Sequence, residues 1–257
     1  MAVKLLIDRP STSTYGMIKR IVQSLAKSEA VLNSDIFIRN VEKWPSNLKA
    51  QFGGHSSDHT SPYCQVERNF ISEAEELQIM EEVEPRFKRL RYETAHWDDA
   101  IHMYRETEKS TWSEKTEAIL ARMRRRGFGS IQQHSLHSHV HVLDLHEDGH
   151  IKPHIDSARY CGNVITAICL LSDAVMRLTH KDNQDLQVDM LLPRRCFYLL
   201  RDVARHEFNH EILANDQSYF QGKKIHKSRR ITVLCRDLPN SAAKGNQDFI
   251  SFNQVPE

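Results

Sequence analysis

His154-Ile155-Asp156 is followed far downstream by His210, and then by Arg230 and Arg236. Two imidazoles and one carboxylate make the facial ligand set of non-haem Fe(II) oxygenases, which leaves coordination positions open. In extended chain, residues two apart point to the same side. His154 and Asp156 can therefore reach one metal from one strand, with Ile155 turned toward the core. The third ligand, His210, must come from a distant strand folded back. In Arg230-Ile-Thr-Val-Leu-Cys-Arg236 the residues Arg230, Thr232, Leu234 and Arg236 share a face. Guanidinium groups on an inward face need anionic partners, and their forks fit carboxylates. A dicarboxylate that chelates iron at one end and meets an arginine at the other is 2-oxoglutarate.

The elements that must carry these residues are short strands. After Gly129 the pattern predicts strands over 138–146, 163–171, 175–180, 186–191, 196–201, 208–213 and 230–236. Cys169-Leu-Leu171 and Cys196-Phe-Tyr-Leu-Leu200 are apolar on both faces, as inside a sandwich. Two helices precede them. One begins at Ser72, with Glu75 three residues on as a capping box, and carries Ala74, Leu77, Ile79, Met80 and Val83 up to Pro85. The other runs from about Ser113 to Arg126 and closes at Gly127 and Gly129. The expected fold class is α+β: a double-stranded β-helix, or jelly roll, with N-terminal helices packed on the sheet.

Three segments are expected. Residues 1–62 form an extension, 63–240 the catalytic domain and 241–257 a polar tail. In the extension, Met17, Ile18, Ile21, Val22 and Leu25 fall at helical spacing beside Lys19, Arg20 and Lys27, a transit-like pattern. Residues 46–62 read as a linker, and 89–137 as a short helix-and-loop segment. The chain has 257 residues, 27% of them charged, with a net charge of +1, so nothing global demands a polyanion or an anionic membrane. No apolar run approaches the length of a membrane span. Five cysteines without a CxxC pair point to reduced thiols.

Rival motifs carry less. His206-Glu-Phe-Asn-His210 spells H-E-x-x-H, but a strand-like lead-in and the absence of a further ligand motif argue against a zinc protease. The histidines from His134 to His150 read as exposed strand and loop residues. Of the basic runs, Arg122–Arg126 suits a helix C-terminus. Lys223–Arg230 reads as a solvated loop or as a contact to a phosphate backbone.

In combination these residues resemble the AlkB branch of the Fe(II)/2-oxoglutarate dioxygenases. The stretches at 91–114, 141–157, 170–178 and 229–239 look like the mitochondrial homologue 7 group within it. The resemblance implies His154, Asp156 and His210 as iron ligands, with 2-oxoglutarate and O2 as cosubstrates. It implies Arg230 at the distal carboxylate with a hydrogen bond from Tyr198, Arg236 nearer the metal-bound carboxylate, and Thr232 lining the pocket. Leu143 and Leu145 stand where the nucleic-acid demethylases of the branch carry an asparagine and a tyrosine. With little room for a base-gripping lid, duplex DNA is an unexpected substrate. The expectation is a protein hydroxylase of the mitochondrial matrix, with parts in fatty-acid metabolism and alkylation-induced programmed necrosis. Demethylation of mitochondrial RNA and a non-catalytic, metal-stabilised interaction module are the alternatives.

Overall fold

The computed structural model describes residues 35–52, 62–94, 96, 99–129 and 135–239. The transit-like helix and the polar tail lie outside the described residues. Among the described residues there are twelve strands: β1 Ile36–Ile38, β2 Cys64–Glu67, β3 Ile101–Lys109, β4 Val140–His154, β5 Val164–Leu170, β6 Ala174–His180, β7 Gln187–Leu192, β8 Phe197–Arg201, β9 Phe208–Ile212, β10 Tyr219–Phe220, β11 Lys223–Lys224 and β12 Arg230–Arg236. The helices are α1 Ser46–Phe52, α2 Glu73–Phe87, α3 Glu114–Phe128 and α4 Asp202–His206.

The strand order β1-β7-β6-β9-β4-β12-β5-β8-β2 runs through one long strand, β4, which serves two sheets. Residues 141–145 of β4 pair with β12, while Ile151 and His154 pair with β9. One sheet is therefore β3-β4-β12-β5-β8-β2 and the other β4-β9-β6-β7-β1. This is the expected jelly roll. Gly149 marks the crossing. A Cβ there would meet the Met103 carbonyl at 2.6 Å and the His102 carbonyl at 2.8 Å, so only glycine lets β3 pass this closely.

The alternation of β12 divides the core. Leu234 joins the cluster between the sheets with Leu143, Leu145, Ala167, Cys169, Tyr198 and Phe208. Ile231, Val233 and Cys235 face the other way, onto Ile79, Val83 and Phe87 of α2 and Leu120 and Met123 of α3. The helices thus cover the outer face of the first sheet, and β5 and β8 are apolar on both sides because both sides are packed. The Ser72 capping box forms as expected, and α2 runs two residues beyond Pro85 to bury Phe87 completely.

Two expectations fail. The 89–137 segment contains β3, whose mostly polar, half-buried side chains hide its period from the sequence. The 46–62 segment is no linker over its first part. Residues 46–52 form α1, and Phe52 is fully buried against Phe208 (ring centroids 4.9 Å) and Trp44 (5.2 Å). With β1 paired to β7, the chain enters the core well upstream of residue 63. Among the described residues, no helix is long and apolar enough to cross a membrane.

Candidate active site

His154 is the last residue of β4 and lies directly across from His210 on β9, with ring centroids 4.2 Å apart. Asp156 follows two residues later. Its Oδ1 lies 3.3 Å from His154 Nε2 and 3.6 Å from His210 Nε2. One ligand atom from each of the three residues falls within 4.8 Å of the others, a span one cation can bridge. Ile155 is half-buried rather than in the core. Metal binding needs a neutral imidazole and an ionised carboxylate. Burial, and then the neighbouring His154, push His210 down to about 3. Burial would raise Asp156, but the Arg236 guanidinium and the two histidines outweigh it and hold the carboxyl well below its usual range. Both groups are thus already in the forms a metal takes.

Arg236 finds its anion in the protein itself. Its Nε donates to Asp156 Oδ2 at 2.9 Å, and its Nη1 donates to His141 Nδ1 at 3.2 Å. His141 Nε2 is 2.8 Å from Glu106 Oε2 on β3, so the proton on that ring sits on Nε2 and faces the carboxylate. A chain of contacts thus runs from β3 through β4 and β12 to Asp156. His141 belongs to the histidine-rich stretch expected to be merely exposed. Its inward position on β4 was the available signal.

Arg230 differs. It is 1% exposed, and its Nη2 donates to Cys169 Sγ at 3.1 Å. Its Nε has no partner, and neither do Thr232 Oγ1 on the same face and Thr166 Oγ1 on β5. Leu145 lies across from Arg230 and Leu143 across from Thr232, so β4 offers no acceptor. Tyr198 on β8 is buried in the same cluster. Burial pushes its phenol up, and the Arg230 guanidinium pulls the other way. A buried guanidinium with an unmet donor and no carboxylate fits one carboxylate end of a small ligand, since an uncompensated buried charge is costly.

No protein-family model matches the chain. It is 47% identical over 180 residues to the Bos taurus "Alpha-ketoglutarate-dependent dioxygenase alkB homolog 7, mitochondrial", covering 70% of this chain and 80% of that protein. The Mus musculus protein of the same name is 45% identical over 183 residues, covering 71% and 82%. The chain belongs to the AlkB homologue 7 family. It is accordingly a 2-oxoglutarate-dependent dioxygenase, with Fe(II) as cofactor and O2 as the second cosubstrate. The fold is also that of a Pseudomonas putida prolyl-4-hydroxylase, with TM-score 0.50 and 12% identity over 69% of this chain and 93% of that one.

The rival motifs dissolve in this member of the homologue 7 family. H-E-x-x-H straddles the end of α4 and the start of β9, so its histidines are not one helical turn apart. His206 Nε2 is 3.0 Å from Asn163 Oδ1, and Glu207 pairs with Lys181 at 2.7 Å. In the 122–126 run, Arg122 pairs with Glu75, Arg124 with Glu117 and Arg126 with Glu67. In the 223–230 run Lys223, Lys224, His226 and Ser228 are exposed, while the later cations turn inward. Lys227 is fully buried and donates to the His146 and Glu147 carbonyls at 3.0 and 2.7 Å. Arg229 binds Asp144 and Glu84.

Proposed function

We propose that His154, Asp156 and His210 are the Fe(II) ligands and that Arg230 receives the distal carboxylate of 2-oxoglutarate. The observation that carries this reading is the pairing of the arginines. Arg236 is already matched by Asp156, whereas Arg230 is buried with an unmet Nε and no carboxylate on the same inward face. Bound Fe(II) supplies the oxygen chemistry: 2-oxoglutarate and O2 are consumed, CO2 and succinate leave, and one oxygen atom goes to the prime substrate. The chain's own residues position and exclude. Arg236 fixes the Asp156 carboxylate, Thr232 and Tyr198 offer hydroxyls beside Arg230, and Leu143 and Leu145 keep water from the other wall.

For the prime substrate we favour a protein of the mitochondrial matrix. Both relatives are named mitochondrial. The reading draws support from the 223–230 run, in which Lys227 and Arg229 are spent on internal partners rather than offered to a phosphate backbone. The fatty-acid and programmed-necrosis roles implied by the homologue 7 resemblance are consequences we attach to that same hydroxylation. They require that a His154→Ala protein fail to restore them in cells lacking the wild type.

The first test is succinate formation with Fe(II), 2-oxoglutarate and O2. Wild type is expected to turn over, and His154→Ala and Arg230→Ala are not. Retained turnover in Arg230→Ala would remove Arg230 from the cosubstrate site. Mitochondrial extract treated with wild type should then contain peptides heavier by one oxygen atom that are absent after His154→Ala treatment. Demethylated RNA without such peptides would replace the protein-hydroxylase reading.

A further inference from the structure

Three neighbouring strands bring Glu106, His141 and Arg236 together. On β3, Glu106 is two residues from Tyr104, and on β4, His141 is two residues from Leu143. Tyr104 and Leu143 both lie in the cluster between the sheets, so the alternation of a strand carries Glu106 and His141 onto that face. Glu106 stands across from Leu143 and Glu108 across from His141, which makes Glu106 and His141 diagonal neighbours. His141 stands across from Leu234, and Arg236 takes the next diagonal on β12. The diagonals close as contacts. His141 Nε2 is 2.8 Å from Glu106 Oε2, His141 Nδ1 accepts from Arg236 Nη1 at 3.2 Å, and Arg236 Nε donates to Asp156 Oδ2 at 2.9 Å. The other Glu106 oxygen, Oε1, is 3.8 Å from His96 Nε2.

Each contact constrains the next. A guanidinium only donates, so the ring nitrogen that faces Arg236 must be free of a proton. The proton of the neutral ring is then on Nε2, and Glu106 is the acceptor that keeps it there. Burial would raise the Glu106 carboxyl, but the His141 hydrogen bond and the nearby His96 and Arg236 outweigh it and hold the group below its usual range. With Nη1 held by His141, Arg236 meets Asp156 through Nε at Oδ2. Asp156 Oδ1 stays turned toward His154 Nε2 at 3.3 Å and His210 Nε2 at 3.6 Å. Guanidinium forks favour two-point contact with a carboxylate. Released from His141, the Arg236 fork can turn to engage both Asp156 oxygens.

We propose that Glu106 is a positioning residue for the metal centre. Acting through His141, it orients Arg236 so that the guanidinium engages Oδ2 of Asp156 and leaves Oδ1 to the cation. The inference rests on the assignment of Asp156 as a ligand. Glu106 reaches that carboxylate only through two other side chains, as the outer carboxylates of metal sites act through the groups they orient.

Two readouts test it: the His141 tautomer, from NMR of the imidazole nitrogens in the metal-free protein at neutral pH, and Mn(II) affinity, from calorimetry. Wild type is expected to carry the ring proton on Nε2 alone. Glu106→Ala should mix the tautomers and weaken Mn(II) binding about tenfold. Glu106→Gln keeps an acceptor oxygen, so it should keep the tautomer and bind Mn(II) within about threefold of wild type. A purely structural Glu106 would instead lower the unfolding midpoint of Glu106→Ala and leave tautomer and affinity unchanged. That outcome overturns the proposal, as does a wild-type ring protonated on Nδ1, a result that needs no variant to fold. Failure of the wild type to bind Mn(II) would remove the ligand assignment and the proposal with it. Tight binding by wild type with equal affinity in Glu106→Ala would remove the positioning role alone.

Discussion

Replacing Arg230 by methionine tests the cosubstrate assignment from two sides. Arg230 is 1% exposed, its Nη2 donates to the Cys169 thiol and its Nε is unmet. A carboxylate docked on it gains charge-assisted hydrogen bonds of about 1.5–3 kcal/mol each, and truncating such a buried pair costs about 2–5 kcal/mol. Two bonds therefore predict a loss of about 3–5 kcal/mol, or 2-oxoglutarate binding weaker by about 100- to 4,000-fold. In the ligand-free protein the sign reverses. Methionine has similar length, stays apolar between Leu145 and Cys169, and removes a poorly compensated buried charge, so stability should rise by about 1–4 kcal/mol. The assay pairs calorimetric titration of 2-oxoglutarate into Mn(II)-loaded protein with thermal unfolding of the ligand-free form. Mn(II) affinity should be unchanged, because Arg230 touches none of the three ligands. A dissociation constant within threefold of wild type, or a ligand-free protein destabilised by more than about 1 kcal/mol, would refute the argument.

Acid should unfold the metal-free protein partly through His210. Its folded pKa is lowered to about 3 by burial, so it contributes stability above the unfolded value of about 6.5 that is lost as pH falls toward 3. Between pH 6 and 4 the unfolding free energy of wild type should fall faster than that of His210→Asn by up to about 1.4 kcal/mol per pH unit, measured by denaturant titration. Asp144→Asn should cost about 3–5 kcal/mol, since the fully buried carboxylate holds both Arg105 and Arg229. A loss under about 1 kcal/mol in chemical denaturation would show that the two arginines find other acceptors. If the β10–β11 hairpin binds single-stranded RNA, Lys223 and Lys224 are its exposed cations. The part of the salt slope lost on Lys223→Ala/Lys224→Ala should then be no steeper than about −1.4. A larger loss would mean that Lys227 or Arg229 leaves its internal partners.

The inward face of β12 was legible because an alternating strand fixes which side chains travel together. Arg230, Thr232 and Arg236 followed directly. The triad was legible because two imidazoles and a carboxylate are scarce as an ordered set on strands. What the sequence concealed is what distant segments supply. Nothing near Arg236 in sequence announces Asp156 as its counter-ion. Lys227 and Arg229 looked solvated because a run of like charge reveals nothing of Asp144, Glu84 or the carbonyls that fold onto them. Strand β3 was missed because its side chains are polar and half-buried, so no period of two shows. Helix α1 is about two turns, and its only strong signal, Phe52 beside Trp44, needs Phe208 to become a cluster.

The passage of β4 from one sheet into the other has a thermodynamic consequence. His154 and His210 belong to the sheet containing β9, whereas Arg230 belongs to the sheet containing β12. On the proposed assignments, a dicarboxylate held by metal at one end and by Arg230 at the other would therefore be a rivet through the sandwich. Neither metal nor dicarboxylate spans the two layers alone. Loading the second should stiffen what the first leaves able to breathe, so the two should bind with positive cooperativity, and amides of β5 and β9 should gain exchange protection together only when both are present.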